Sequence, residues 1–372
     1  MKILITGGHI TPALAVIDYI KKKYPQDEMV FVGRKYSQEK LKQKAIEQQE
    51  VEKRNIEFIE FMAPRFAQKN IFKKIISFAK FLPCLLKASK ILDQHRPDVV
   101  LSFGGYLAVP IAMRAKLKKI PIITHEQTFK AGMANKIIAK FASKVALSFP
   151  SSKDFFPSTK TVLTGNPFRK EIFNLGVEKP SWISSLKKPI LLIMGGNQGS
   201  RLINQIVIKA LPKLVEKYLV VHQCGRTTKD EDYLEILEQE KQKLPEELQS
   251  SYVFKDWIED LDLFWIYHHA DMAISRAGAN SVLELALAEL PSILVPLLNS
   301  HQNEQALNAR WLLDAGGAVV IWQEKFNQDN LLKAISLVSG SKDKLSFNLS
   351  KLEIETEAEV KIYQLLLDLC GK

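Results

Sequence analysis

Cysteine is scarce in this chain. Three residues in 372, Cys84, Cys224 and Cys370, lie far apart, are odd in number and share no partner motif. That excludes a disulfide framework and points to a reducing cytosol. No run of about 18 apolar residues occurs, and the chain opens on a strand pattern, so neither a membrane span nor a signal peptide is expected. Any membrane contact should be peripheral. Low-complexity tracts are missing too. Acid is in short supply: 41 Asp and Glu against 52 Lys and Arg leave a net charge of +11, which calls for an anionic partner. Nucleic acid is the least favoured choice, because there is no recognised binding module and no basic stretch interleaved with stacking aromatics. Nucleotide phosphates and an acidic membrane surface remain.

What is present is a repeated plan. Lys2-Ile3-Leu4-Ile5 forms an apolar strand, Thr6-Gly7-Gly8-His9 a glycine turn, and Pro12 to Ile20 a helical pattern. Halfway along, Pro189 to Met194, Gly195-Gly196-Asn197-Gln198-Gly199-Ser200 and a helix with Leu202, Ile203, Ile206 and Leu211 repeat it. Strand, glycine loop and helix N-terminus open a doubly wound domain. Short buried-type strands recur between helices, as at 98–102, 120–125, 144–147, 220–223, 253–254 and 318–321. The chain exceeds the roughly 150-residue prior for one domain, and 46% hydrophobic content can fill two cores. The expected class is therefore α/β, with two Rossmann-like doubly wound domains and parallel sheets. The boundaries read as 1–165, a proline-bearing linker at 166–188, a second domain at 189–350, and a terminal helix in 351–372 that packs back on the first.

The stretch from Asp271 to Asn308 carries the densest chemistry. A strand breaks into Ser275-Arg276-Ala277-Gly278-Ala279-Asn280-Ser281 and opens a helix bearing Glu284. Glycine allows a tight turn, and the helix N-terminus offers N–H groups and a positive dipole end to phosphate oxygens. Arg276 adds a positive charge. The rival reading is local, since Ser281 and Glu284 have the S-x-x-E spacing of a capping box. Further on, the helix that begins near His301 carries Gln305 and Asn308, amides suited to sugar hydroxyls. Asp260-Leu261-Asp262 matches D-x-D but stands at the start of a helix, where it reads as capping and surface charge.

Between Asn70 and Leu92, spaced at about 100° per residue, Ile71, Phe72, Ile75, Phe78, Ala79, Phe81, Leu82, Leu85 and Leu86 cover about half a helical circle, and Lys69, Lys73, Lys80 and Lys87 stand opposite. Pro83 is expected to divide or kink the segment. Such an arc fits either a surface that dips into anionic headgroups or an ordinary core-facing helix.

Six blocks, in order, resemble the MurG family: Thr6-Gly7-Gly8-His9-Ile10-Thr11-Pro12-Ala13; Gly104-Gly105-Tyr106; His125-Glu126-Gln127; Gly165-Asn166-Pro167 with Arg169; Gly195-Gly196 with Gln198-Gly199-Ser200; and Ser275-Arg276 with Gly278-Ala279 and Glu284. The resemblance spans essentially the whole chain. It implies a GT-B glycosyltransferase that moves N-acetylglucosamine from UDP-GlcNAc to undecaprenyl-diphosphate-linked muramyl pentapeptide in peptidoglycan synthesis. The implied mechanism is inverting and metal-independent, with no cofactor. The implied location is the cytoplasmic face of the cell membrane, against its anionic inner leaflet and beside cell-wall assembly proteins.

Carried over by motif, the resemblance implies a donor site of Arg169, Asn197, Gln198, Gly199, Ser200, Ile258 (backbone to uracil), Arg276, Gly278, Ala279, Asn280, Ser281, Glu284 (ribose hydroxyls), Gln305 and Asn308. The implied acceptor side is Thr6, Gly7, Gly8, Tyr106, Gln127 and Thr128. The base that takes the muramyl proton is read as His9, with His125 or Glu126 as the rival. The membrane-facing set is Ile75, Phe78, Leu82, Lys69, Lys73 and Lys80. Three departures from the family pattern concern acceptor detail: fewer glycines ahead of Thr6-Gly7-Gly8-His9, Thr128 where an asparagine usually follows, and Asn197 in place of a serine. Rival functions are another GT-B enzyme of UDP-sugars, such as a 2-epimerase or glycolipid synthase, and an idle UDP-sugar or lipid-binding protein.

Overall fold

The computed structural model describes residues 1–34, 36–38, 43–44, 46–64, 71–183, 187–196, 199–225, 232–297 and 303–372; within these, side chains of 36–38, 43–44, 46 and 71–80 are left undescribed. Two compact units result: Met1–Arg169 with Glu355–Lys372, and Lys170–Ile354. The second unit thus begins inside the proline-bearing stretch.

In the first unit the strands are β1 (Lys2–Gly7), β2 (Glu28–Gly33), β3 (Tyr36–Gln38), β4 (Gln43–Lys44), β5 (Glu57–Glu60), β6 (Val99–Phe103), β7 (Ile122–Glu126), β8 (Lys144–Leu147) and β9 (Thr161–Leu163). Apart from the small antiparallel β3–β4 pair, they form one sheet in the order β5-β2-β1-β6-β7-β8-β9, with every pairing parallel. Parallel strands covered on both faces read as continuous apolar runs, and β1, β6 and β7 are buried almost throughout. The helices are α1 (Ile10–Lys23), α2 (Ile46–Lys53), α3 (Ile71–His95), α4 (Ala108–Leu117) and α5 (Met133–Phe141). On one face, Ala13, Val16, Ile17 and Ile20 of α1 pack with Ile3, Ile5 and Leu101. On the other, α3, α4 and α5 cover Leu4, Val100 and Ile122.

Helix α3 is continuous through Pro83, so the proline does not divide it. Its described half turns Ala88, Ile91 and Leu92 inward and leaves Leu82 and Leu86 each 63% exposed.

The second unit holds β10 (Ile190–Met194), β11 (Leu219–Gln223), β12 (Tyr252–Lys255), β13 (Ala270–Ser275), β14 (Ser292–Leu294) and β15 (Ala318–Val320), in the order β12-β11-β10-β13-β14-β15, all parallel. Its helices are α6 (Arg201–Lys217), α7 (Tyr233–Gln242), α8 (Glu246–Gln249), α9 (Asp260–His269), α10 (Ala279–Leu287), α11 (Glu304–Asp314), α12 (Gln328–Gly340) and α13 (Lys342–Ser350). The chain then returns to the first unit as α14 (Ala358–Cys370), where Ile362, Tyr363 and Leu366 enter the core beside α1. Tyr363 Oη donates to Asp27 Oδ2 at 2.7 Å and fixes that docking.

Both sheets are doubly wound. Strand order reverses beside β1 in the first and beside β10 in the second, and such switch points open a crevice at the carboxyl ends of the strands.

Candidate active site

At the first switch point two glycine pairs lie back to back. The turn after β1, Gly7-Gly8, meets the turn after β6, Gly104-Gly105, and the Gly8 N–H donates to the Gly104 carbonyl at 3.1 Å. A side chain at Gly7 would place its Cβ 2.8 Å from the Phe103 backbone, and Gly105 has φ +81° with the Gly8 nitrogen 3.0 Å from where a Cβ would stand. Only glycine allows this approach. Gly8 is exposed, and His9 follows as the N-cap residue of α1, half-buried and making no side-chain cap.

The polar side chains around this turn divide into those that can face a ligand and those already committed. Gln127 Nε2 lies 2.6 Å from His9 Nδ1, and Gln127 Oε1 is buried without a hydrogen-bond partner. Burial holds the His9 imidazole below its usual range, opposed by the nearby Glu126 carboxylate. Glu126 is held by its neighbours. Its Oε1 accepts from Thr128 N (3.1 Å), and its Oε2 from Gly132 N (2.8 Å) and Asn135 Nδ2 (3.0 Å). The single hydrogen of Thr128 Oγ1 lies between Glu126 Oε1 and the Lys130 carbonyl, so three or four of the roughly four acceptor positions of the carboxylate are taken. Glu126 and Thr128 shape the loop between β7 and α5.

His125 is engaged through its Nε2. Its Nε2–H points at the Gly165 carbonyl, 3.2 Å away, with Ser148 Oγ at 3.1 Å, and burial pushes its pKa down to about 4. The side chain is 1% exposed. Both rival bases are thus tied to neighbouring groups in this structure. Thr6 is fully buried in β1, and its hydroxyl donates to the Val32 carbonyl at 3.0 Å. Asn135, which sequence reading passed over, ties Thr124, His125 and Glu126 together. Its position in a helix without a motif gave no signal. Tyr106 stands half-buried just after Gly105, packed partly on the adjacent core.

At the second switch point β10 runs into Gly195-Gly196 and β13 into Ser275-Arg276-Ala277-Gly278. Asn197 and Gln198 lie outside the described residues, as do His301 and Gln302. Ser200 caps α6: its Oγ accepts from Ile203 N at 3.4 Å and from Arg276 Nε at 3.1 Å. With both lone pairs engaged, the hydroxyl hydrogen is what it can offer a ligand. Arg276 is 9% exposed, and its Nη1 donates to the Val295 carbonyl (3.0 Å) and Gln323 Oε1 (2.9 Å). Through Nε and Nη1, Arg276 braces Ser200 against the segment just after β14.

Helix α10 begins at Ala279 with Gly278 as its N-cap residue, so Ser281 lies inside the first turn and no capping box forms. Glu284 instead accepts from Tyr267 Oη at 3.1 Å on Oε2, and is 5% exposed. Asn280 and Ser281 occupy the exposed side of that first turn, each half-buried. Ile258 is 1% exposed, and its N–H donates to Gln223 Oε1 at 3.0 Å. Gln305 Oε1 accepts from Leu297 N at 2.9 Å, which fixes its amide orientation. Asn308 lies deeper: it is fully buried, its Nδ2 donates to the Ala277 carbonyl at 2.9 Å, and its Oδ1 has no partner. Neither aspartate of the D-x-D caps α9, whose N-cap residue is Glu259; Asp262 Oδ2 accepts from Trp182 Nε1 at 2.7 Å. Among the described residues no cluster of three or more His, Cys, Asp or Glu side chains is arranged to hold a metal ion. Arg169 closes the first unit, half-buried.

Two parallel doubly wound units, each with a glycine turn and a helix N-terminus at its switch point, have the fold of the GT-B class. The glycosyltransferase family 28 N-terminal domain matches residues 6–147, and the family 28 C-terminal domain matches residues 190–363. The UDP-N-acetylglucosamine--N-acetylmuramyl-(pentapeptide) pyrophosphoryl-undecaprenol N-acetylglucosamine transferase of Clostridium novyi (strain NT) is 32% identical over 357 residues, covering 94% of this chain and 93% of the relative. The enzyme of the same name from Clostridium perfringens (strain SM101 / Type A) is 33% identical over 360 residues, 94% of each. The crystal structure of Acinetobacter baumannii MurG superposes with a TM-score of 0.70 at 23% identity, covering 99% of both chains, and shares the fold. The chain belongs to the MurG family of glycosyltransferases.

Proposed function

We propose that this protein transfers N-acetylglucosamine from UDP-GlcNAc to the muramyl hydroxyl of undecaprenyl-diphosphate-linked N-acetylmuramyl pentapeptide, inverting the anomeric centre. The observation that carries the reading is kinship with enzymes of that name over 94% of the chain, joined to the two switch-point loops.

On the donor side, the N-termini of α6 and α10 supply N–H groups and dipole ends for the diphosphate, and Ser200 supplies its hydroxyl hydrogen. Gly199, Gly278, Ala279, Asn280 and Ser281 let the phosphates approach the backbone; Asn197 and Gln198 belong to the same loop. Arg276 acts through Ser200. The Glu284 carboxylate, oriented by Tyr267, suits the ribose hydroxyls, while Gln305 suits the sugar and Asn308 supports the turn beneath it. Ile258 and Gln223 form the polar edge offered to the base. Charge leaving on the diphosphate is met by fixed dipoles that need no reorganisation during the reaction.

On the acceptor side, Gly7, Gly8 and the α1 N-terminus receive the lipid diphosphate, with Tyr106 beside them. His9, at the N-terminus of α1 beside Gln127, is the base. Its role is set by Gln127. When Gln127 Nε2 donates to Nδ1, the outer Nε2 carries the ring hydrogen and His9 donates to the acceptor. Turning the amide over gives the orphaned Oε1 the Nδ1 hydrogen as partner and leaves Nε2 free to take the muramyl proton. Depression of the His9 pKa keeps the imidazole neutral, as a base requires.

Among the described residues no helix is long and apolar enough to cross a membrane. The protein meets the anionic inner leaflet from the cytoplasmic face through α3, where Leu82 is exposed beside Leu86. Ile75, Phe78, Lys73 and Lys80 lie on the described backbone of that helix without described side chains, and Lys69 lies outside the described residues. Cell-wall assembly proteins are the expected neighbours. The test is transfer of labelled sugar from UDP-GlcNAc to a short-chain lipid acceptor; isomerised UDP-sugar without acceptor would instead favour a 2-epimerase.

A further inference from the structure

Behind the donor loop runs a chain of hydrogen bonds that the reaction itself does not use. Tyr252 on β12, His222 on β11 and Asn204 on α6 are each 0% exposed, and Cys224, just past β11, is 1% exposed. Asn204 Nδ2 donates to the Cys224 carbonyl at 3.0 Å; a carbonyl only accepts, so the amide orientation is settled. Asn204 Oδ1 must then accept, and it does so from His222 Nε2–H at 3.1 Å. His222 Nδ1 is left as an acceptor and receives the Tyr252 hydroxyl hydrogen at 2.9 Å. Every direction in the chain follows from its last member. Burial pushes the His222 pKa down to about 3 and raises that of the Tyr252 phenol, so the chain stays neutral.

The chain ends where the donor loop is tightest. Gly199 has φ +74°, and a Cβ there would stand 2.2 Å from the Cys224 carbonyl oxygen and 2.8 Å from Gly225 Cα. The carbonyl held by Asn204 is therefore the surface on which Gly199 rests. Asn204 is also anchored at the start of α6, where its N–H donates to the Ser200 carbonyl at 2.9 Å. One side chain thus fixes both the floor under Gly199 and the first turn of the helix that Ser200 caps.

We propose that Asn204, held by His222 and Tyr252, is a positioning residue that sets the height of the Gly199-Ser200 segment against the donor's diphosphate. The inference rests on the donor reading above. A buried polar network fully satisfied in one geometry specifies that geometry, and removing one member leaves its neighbours unpaired. Its effect should appear in donor binding and not in acceptor binding.

The test is UDP affinity by titration calorimetry, donor and acceptor KM, and Tm, for the full chain and four variants. Asn204→Leu, of similar volume but without either bond, should weaken UDP about ten-fold or more and raise donor KM in step, with acceptor KM within two-fold of wild type. His222→Gln retains a donor and an acceptor and should restore most of the affinity that His222→Leu loses. Tyr252→Phe, farthest from the loop, should weaken UDP least, within about three-fold. Should Asn204→Leu fail to fold, the ordering of the His222 pair and Tyr252→Phe still decides. Variants that lower Tm while the folded protein binds UDP as wild type does would overturn the proposal. So would equal losses in donor and acceptor KM. Failure of the wild-type protein to bind UDP would instead refute the donor reading.

Discussion

The side chains at the two switch points fall into two kinds, those that hold the loops and those left to meet a ligand, and substitutions should separate them. Glu284→Ala removes a charged acceptor, a contact worth about 1.5–3 kcal/mol, so donor KM should rise roughly 10- to 100-fold with acceptor KM little changed; unaltered donor kinetics would remove Glu284 from the ribose site. His9 gives a pH signature. Its folded pKa lies below the ordinary 6.5 because burial outweighs the pull of Glu126, so the base is deprotonated at neutral pH and activity should persist as pH falls through 6.5. The acid limb of kcat/KM therefore lies below that value. Gln127→Glu places a carboxylate against Nδ1, which must raise the His9 pKa and move the acid limb upward. A limb that stays in place would show that His9 does not carry the titrating proton.

Elements were more legible than the partners of their side chains. The glycine loops could be read because strand, turn and helix are adjacent in sequence, and β6, β7 and β12 fall within two residues of the apolar runs that marked them. The S-x-x-E spacing of Ser281 and Glu284 signals a capping box only when the serine stands at the N-cap, and the N-cap of α10 is Gly278. The commitments of Glu126, Thr6 and Arg276 were hidden because their partners, Gly132 and Asn135, Val32, and Val295 and Gln323, arrive through tertiary packing. In α3 periodicity merged two faces, and burial of Ala88, Ile91 and Leu92 separates the core side from exposed Leu82 and Leu86. Leu82→Asp with Leu86→Asp should therefore reduce sedimentation with anionic vesicles and leave Tm within a degree or two; loss of folding would make this face core. Leu366→Ala in α14, fully buried against α1, should cost about 2–5 kcal/mol, read from the denaturant midpoint of the first unit.

For the whole molecule, two buried histidines in different units give one shared pH response. His125 and His222 are held to about 4 and about 3 in the folded chain, against 6.5 unfolded. Between those values the unfolded chain binds more protons, so stability rises with pH there. It should be full above about pH 6.5 and fall steadily as pH drops toward 4; a flat denaturation midpoint over that window would contradict the burial of both rings. The basic excess of the chain, +11, belongs to the same scale, favouring anionic lipid and nucleotide alike and weakening both with salt. The most direct measurement is made with purified protein, labelled UDP-GlcNAc and a short-chain polyprenyl-diphosphate muramyl pentapeptide, with EDTA present. Labelled disaccharide lipid, formed only with acceptor, is the predicted result. Intact UDP-sugar with bound acceptor, or isomerised sugar without it, would contradict the account.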